Sequence, residues 1–315
     1  MAGWRKWSDS DAPATDWAPF FSAAELEHFQ LAVEADLRGR GLSFRLHDGL
    51  VWVRTDEGDD DGEERFGLKN LAQLCHQSHL TEFAEIIAGH FDALFAGRSD
   101  RELMDLWNAD LEAALPNLKL RIYPSSTLAD ARENLIVREV APDLLAVLCF
   151  DLPRIVATVP AASLDSWGVT LDELWPIAVD NVRQDPDLER TDQVLPDDII
   201  VSALIGDSLF TASQLLCLDG WVEPVTLFGA VVAVPHRHAL LYHPIMGPEV
   251  VDAVARMAPM ALEMHAQGPG SITPELFWWR PGQIDALPTD YDDGQLQFMP
   301  PASFLAVLEQ LVRPN

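Results

Sequence analysis

Thiols, long apolar runs and positive charge are all scarce in this chain of 315 residues, and each shortage narrows what the protein can be. The three cysteines, Cys75, Cys149 and Cys217, lie far apart inside apolar stretches, with no CxxC or CxH spacing. That argues against a thiolate metal site or a redox pair, and for buried, reduced thiols. No apolar run approaches the roughly 18 to 20 residues needed to cross a bilayer, so no membrane association is expected. The opening residues, MAGWRKWSDSDAPATDW, carry two basic side chains with no apolar segment behind them. No secretory signal is expected there, and a cytoplasmic location is. Basic residues number 21 against 50 acidic ones, a net charge of −29. A surface this negative repels phosphate backbones, so nucleic acid is not expected as a partner, whereas basic proteins and cations suit it.

Hydrophobic residues make up 48% of the chain and the mean hydropathy is +0.03, values of a globular protein. The clearest pattern is the run FGAVVAVPHRHALLYHP over 228–244. Its uncharged, Val-rich first half has the composition of a central strand buried on both faces. His236, Arg237 and His238 interrupt it as the one cationic cluster in an acidic chain, placed where a strand leaves the core. That cluster is the first candidate for function.

Elsewhere the periodicities give a block arrangement. Residues 1–21 read as an irregular arm. Ser22 with Glu25 forms a capping box, and Leu26, Phe29 and Val33 follow at helical spacing up to about Arg40. Strands are expected at 42–46 and 50–54 around His47-Asp48-Gly49, whose Asp-Gly signals a hairpin. An acidic loop is expected at 56–64, then helix over 66–95 in two pieces broken near Ser78. A boundary is expected at 98–101 and a helix at 102–115. Strands should follow at 118–123, 144–150 and 155–159, and a helix capped by Thr170 and Glu173. A polar loop, QDPDLERTDQVLPDD, should lead to a strand at 199–205. Past the central strand the expectation is a helix from Glu249 to about Gln267, an aromatic strand at 276–279 and a terminal helix at 303–312. Hairpin-then-helix occurs twice, at 42–77 and 144–184, and an Asn sits in each helix, Asn70 and Asn181. A buried amide there should tie its helix to a neighbouring backbone. The fold class implied is α+β: a mixed, mainly antiparallel sheet with helices packed on it, two related subdomains being consistent with the echo. The domains are a 1–21 arm, a 22–97 α+β subdomain and a 98–315 α+β domain.

Four stretches together resemble the bacterial YtpQ-like family: LKNLAQL at 68–74, LLAVLCFDLPRIVATVPAASLDSWGVTLDELWPIAVDN at 144–181, SLFTASQLL at 208–216 and VVAVPHRHALL at 231–241. They fall in the family's order, within residues 25–285. After the Pro-x-Arg, where that family tends to carry an acidic residue, this chain has His238. The resemblance implies a fold and supplies no catalytic residues.

Gly206-Asp207-Ser208-Leu209 spells the nucleophile motif of the GDSL esterases, but no Asp-x-x-His follows to supply base and orienting carboxylate. Asp207 or Ser208 reads better as a helix cap. His236, His238 and His243 could hold a metal ion if the first two share a strand face, or Arg237 with a protonatable histidine could capture an anion; a structural strand end is the third reading. His76 and His79, with Glu82 and Glu85, would line one helix face only if no break falls at Ser78. Phe277-Trp278-Trp279 should alternate a core ring with an outward one. No cofactor and no stoichiometric metal are expected. With no complete catalytic set, the leading expectation is a non-enzymatic acidic protein-binding or regulatory module, inhibitor-like or immunity-like. It would offer Asp59, Asp60 and Asp61 to a basic protein, with Trp278 and Trp279 as anchors. The alternative is a small-molecule or metal-dependent enzyme, or a ligand sensor, using the 235–243 segment with Asp207.

Overall fold

The computed structural model describes residues 15–54, 63–96, 110–128, 132–153, 155–185, 188–222, 227–292 and 295–312. The chain divides into two compact units, residues 1–98 and 99–315. Among the described residues every paired strand is antiparallel, and helices pack on the sheets, so the fold is α+β.

In the first unit, helix α1 (Ala23–Gly39) begins at the Ser22–Glu25 capping box and buries Leu26, Phe29, Val33 and Leu37, three to four residues apart along one stripe. Strands β1 (Ser43–His47) and β2 (Leu50–Arg54) form the expected hairpin. Asp48 and Gly49 both take positive φ, 44° and 71°, as a two-residue turn of this hand requires. Gly49 is further constrained because a Cβ there would lie 2.5 Å from the Trp17 ring. Phe66 does not start a helix. It belongs to β3 (Glu63–Gly67), which adds to β2 with Val51 opposite Phe66. Helices α2 (Lys69–His76) and α3 (Phe83–Ala96) follow, separated by a short 3-10 turn that His79 caps. α2 ends at His76 and His79 is extended at ψ 146°, so the two histidines do not share one helix face, and Ser78 closes the break by donating to the Leu74 carbonyl at 3.2 Å. Of the expected acidic loop, 63 and 64 lie in β3; Asp59, Asp60 and Asp61 fall outside the described residues. So does 102–109 of the expected 102–115 helix, whose described part includes α4 (Leu111–Ala114), capped by Asp110.

The second unit is layered around two sheets. One contains β4 (Leu118–Pro124), β5 (Val137–Ala141), β6 (Leu144–Asp151) and β7 (Val156–Thr158), with β6 between β4 and β5. Helices α5 (Ala162–Trp167) and α6 (Leu171–Arg183) follow, the latter started by the Thr170–Glu173 capping box. The other sheet has six strands: β8 (Glu189–Val194), β9 (Ile200–Ile205), β10 (Ala230–His236), β11 (Ala239–Pro244), β12 (Leu276–Arg280) and β13 (Gln283–Leu287). Their spatial order is β13-β12-β10-β11-β9-β8. Between β9 and β10 runs a series of 3-10 turns, Thr211–Gly220, broken at Cys217. Helix α7 (Val250–Gln267) follows β11, and a short hairpin, β14 (Thr289–Asp292) with β15 (Gln295–Phe298), precedes α8 (Ala302–Val312).

The inner strands of the six-stranded sheet are covered on both faces. Val232, Val234, Leu240, Tyr242, Phe277 and Trp279 pack toward β4, β6 and α6, while Val231, Ala233, Leu241 and Trp278 pack toward α7 and α8. This double cover explains the uncharged Val-rich run of β10, none of whose residues from 230 to 235 meets solvent. It also corrects the expectation for the aromatic strand: Trp278 and Trp279 are each 3% exposed, so neither ring faces outward. Alternation sends Trp279 to one core and Trp278 to the other, where it meets Phe304 edge-on at 5.2 Å. The polar loop expected before β9 is in part β8, whose six side chains are all exposed. An edge strand with no buried face carries no apolar alternation, so its sequence looks like a loop. Asn181 does what its position implied: its amide donates to the Leu115 and Leu118 carbonyls at 2.9 and 2.8 Å, fixing α6 to the start of β4.

Candidate functional site: the turn between β10 and β11

His236 ends β10, and Arg237 and His238 form the turn into β11, after a register irregularity between Ala233 and His236. Three separate segments hold this turn by its backbone. The Arg237 N–H donates to Gly270 O at 3.0 Å, Arg237 O accepts from Ala212 N at 3.2 Å, and His238 O accepts from Gly206 N at 3.3 Å. The loop after α7 approaches closely at two glycines. A Cβ on Gly268 would lie 2.2 Å from the His236 ring, and one on Gly270, at φ 72°, would lie 2.6 Å from Arg237 Cδ.

The side chains are ordered by one another. His238 Nδ1 lies 3.2 Å from the Gly206 carbonyl, which makes it the protonated nitrogen, and its Nε2 accepts from Arg237 Nε at 2.9 Å. His236 Nδ1 accepts the His238 N–H at 3.3 Å. Burial, then the neighbouring His238, Arg237 and His265, push the His236 imidazole down to about 4. Burial and Arg237 lower His238 too, against the opposing pull of the Gly206 carbonyl and Asp207. Both rings are therefore neutral near pH 7, and Arg237 carries the positive charge.

The residues that complete the site come from β4. Its Leu118, Leu120 and Ile122 enter the core, so Lys119, Arg121 and Tyr123 line the other face. The chain between β9 and β10 brings this face to the turn. Ala212 holds Arg237 O, and the next residue, Ser213, accepts the Ile122 N–H on its hydroxyl at 3.3 Å. Arg121 and Tyr123 thus flank a residue held one position away from the tether of Arg237. Arg121 lies over the Tyr123 ring, 4.8 Å from its centroid, and its buried Nε has no hydrogen-bond partner among the described residues. Burial drives the Arg237 guanidinium down to about 10, Arg121 adds to that by like-charge repulsion, and Tyr123 opposes it. The Tyr123 phenol is raised by burial and stays a hydrogen-bond donor. Among the described residues no carboxylate pairs with either arginine.

Compared with known protein families, with curated proteins and with solved structures, the chain matches none of them. Function therefore has to be argued from the residues in place.

Of the sequence candidates, His236, Arg237 and His238 come together, and Asp207 stands near His238 on the exposed side. His243 does not join them. It stands opposite Val231, toward α7, and its Nδ1 is committed to Ile200 O at 2.8 Å. The His236 and His238 rings lie 6.4 Å apart across the turn, not on one strand face. Among the described residues no three His, Cys, Asp or Glu side chains converge as a metal site, and no helix is long and apolar enough to cross a membrane. Ser208 is a cap. Its hydroxyl accepts the Phe210 N–H at 3.0 Å and donates to Asp185. With its proton given to a carboxylate rather than a histidine, it lacks the partner a nucleophile needs. Sequence reasoning missed Arg121 and Tyr123. The signal that could have found them is LKLRIY at 118–123, whose alternate residues put two cations and a phenol on one strand face.

Proposed function

We propose that this protein is a non-enzymatic regulatory module that responds to a small ligand seated at the 236–238 turn, acting in the cytoplasm without nucleic acid. One observation carries the reading: three segments fix the backbone of the turn, while the Arg237 guanidinium has a histidine as its described partner and no carboxylate. A structural arginine in an acidic protein ordinarily finds an acid, and a rigid backbone with uncommitted donors is what binding without reorganisation needs. The resemblance to the YtpQ-like family belongs to the same proposal, since its VVAVPHRHALL stretch spans the seat. The test is a thermal-shift screen of anionic, neutral and cationic metabolites on the whole chain. At least one compound should raise Tm in the parent and fail to do so in Arg237→Gln; a screen in which every shift survives that substitution would sink the reading.

A second reading, capture of a basic protein by acidic segments, is favoured by β8. This edge strand is exposed along its length and carries Glu189 and Asp192, and Val194 beside Ile200 gives an exposed apolar pair, 69% and 47%. That pair takes the anchor role for which Trp278 and Trp279 are too buried. Reversing Asp59, Asp60, Asp61 and Glu189 to Lys should slow such an association several-fold at low salt.

A further inference from the structure

We infer that Arg121, Arg237 and Tyr123 form a binding site for the oxyanion group of a small molecule, a carboxylate or a phosphate. The inference rests on the ligand-module reading and names the ligand's chemistry. β4 and the β10–β11 turn are held to adjacent residues of the connecting segment, Ser213 and Ala212, and the two guanidinium groups they carry are close enough for their charges to repel. Like charges gathered this way raise the energy of the folded chain unless something negative lies between them. Other buried or half-buried cations of the protein have been given acids: Lys119 has Asp151 at 2.7 Å, and Arg40 has Asp36 at 2.6 Å. Among the described residues Arg121 and Arg237 have none, and the buried Arg121 Nε has no hydrogen-bond partner there.

The chemistry of the donors fits an oxyanion. Guanidinium presents planar paired N–H groups that match two oxygens of a carboxylate or phosphate, and the phenol of Tyr123 adds an O–H. The Arg237 Nε is spent on His238, which leaves its two terminal amino groups, and the Tyr123 ring supports the Arg121 plane at 4.8 Å. Asp207, near His238, is the opposing charge, and it is exposed. The lowering of Arg237 to about 10 by burial and by Arg121 is the electrostatic counterpart, and an anion would reverse it. The overall charge of −29 sets the size limit, because a polyanion would be repelled by the surface around the site, whereas one oxyanion meets mostly the local cations.

The experiment is calorimetric titration of the whole chain at low ionic strength, with inorganic phosphate in one arm and succinate in the other. Binding of at least one probe at millimolar concentration is expected. Arg121→Gln and Arg237→Gln should each weaken it at least about tenfold, and Tyr123→Phe by about two- to fivefold. Arg183→Gln, which removes an exposed arginine already paired with Asp219, should change nothing. Arg237→Lys should retain part of the affinity, which separates lost recognition from lost folding; circular dichroism on each variant checks the fold. The two arms tell phosphate from carboxylate. Failure of both probes to bind, or binding that persists in the Arg121→Gln, Arg237→Gln double variant, would overturn the inference. If a neutral metabolite from the screen depends on Arg237 while neither oxyanion binds, the oxyanion site fails and the ligand-module reading survives.

Discussion

Lys119 and Arg121 stand two residues apart on the same face of β4, yet they live in opposite electrostatic settings. Lys119 reaches Asp151 at 2.7 Å and Asp185 at 3.8 Å, and Asp185 also accepts a hydrogen bond from the Ser208 hydroxyl, so the cation and both acids have partners close by. Arg121 meets a tyrosine ring, a second arginine's field and, among the described residues, no acid. The first arrangement is a closed network that ties β4 to β6 and to the end of α6. The second is open, and an open cationic pair in an acidic protein marks a place built for something other than stability.

The largest expected effect comes from breaking the closed half. Lys119→Met strands Asp185, whose side chain is 6% exposed, and should destabilise the second unit by about 2–3 kcal/mol in urea melts. A loss under about 0.5 kcal/mol would mean that the network is not electrostatically closed.

The histidines beside the open half give a pH-linked effect that is absent at neutral pH and grows only on acidification. His236 titrates at about 4 in the folded chain and near the ordinary 6.5 when unfolded, so between those values the unfolded state binds more protons. Its contribution to stability is full above about pH 6.5 and is lost as pH falls toward about 4. His236→Gln should therefore flatten the stability profile across that window relative to the parent. Parallel profiles for the two would show that the histidine is not held neutral.

The smallest effect should be that of Arg121→Met. With no acid to strand and a repulsion relieved, stability without ligand should change by no more than about 0.5 kcal/mol, or rise. A cost comparable to that of Lys119→Met would show that Arg121 has an acid the described residues do not contain, and the contrast between the two cations would be gone.

Much of the fold is legible in the chain because its signals are local. The Ser22–Glu25 and Thr170–Glu173 boxes start helices as their spacing demands, and Asp48-Gly49 turns the first hairpin. β8 was not legible, since a strand exposed on every side leaves no apolar period, and β3 was hidden by the helical pattern after it. For the site, half could be read. His236, Arg237 and His238 stand out as a cationic interruption of an apolar run. Arg121 and Tyr123 lie over 110 positions earlier and look like the polar alternates of any strand; their relation to Arg237 exists only through Ala212 and Ser213.

The sequence by itself determined the α+β class, the central buried strand and the excess of acid over base, because each follows from composition or from periods of two and 3.6 residues. Only the tertiary structure decided which charges find partners. Pairing depends on distances across strands and turns, which is why Lys119 has two acids, Arg121 has none among the described residues, and the two tryptophans that looked like surface anchors lie in two different cores.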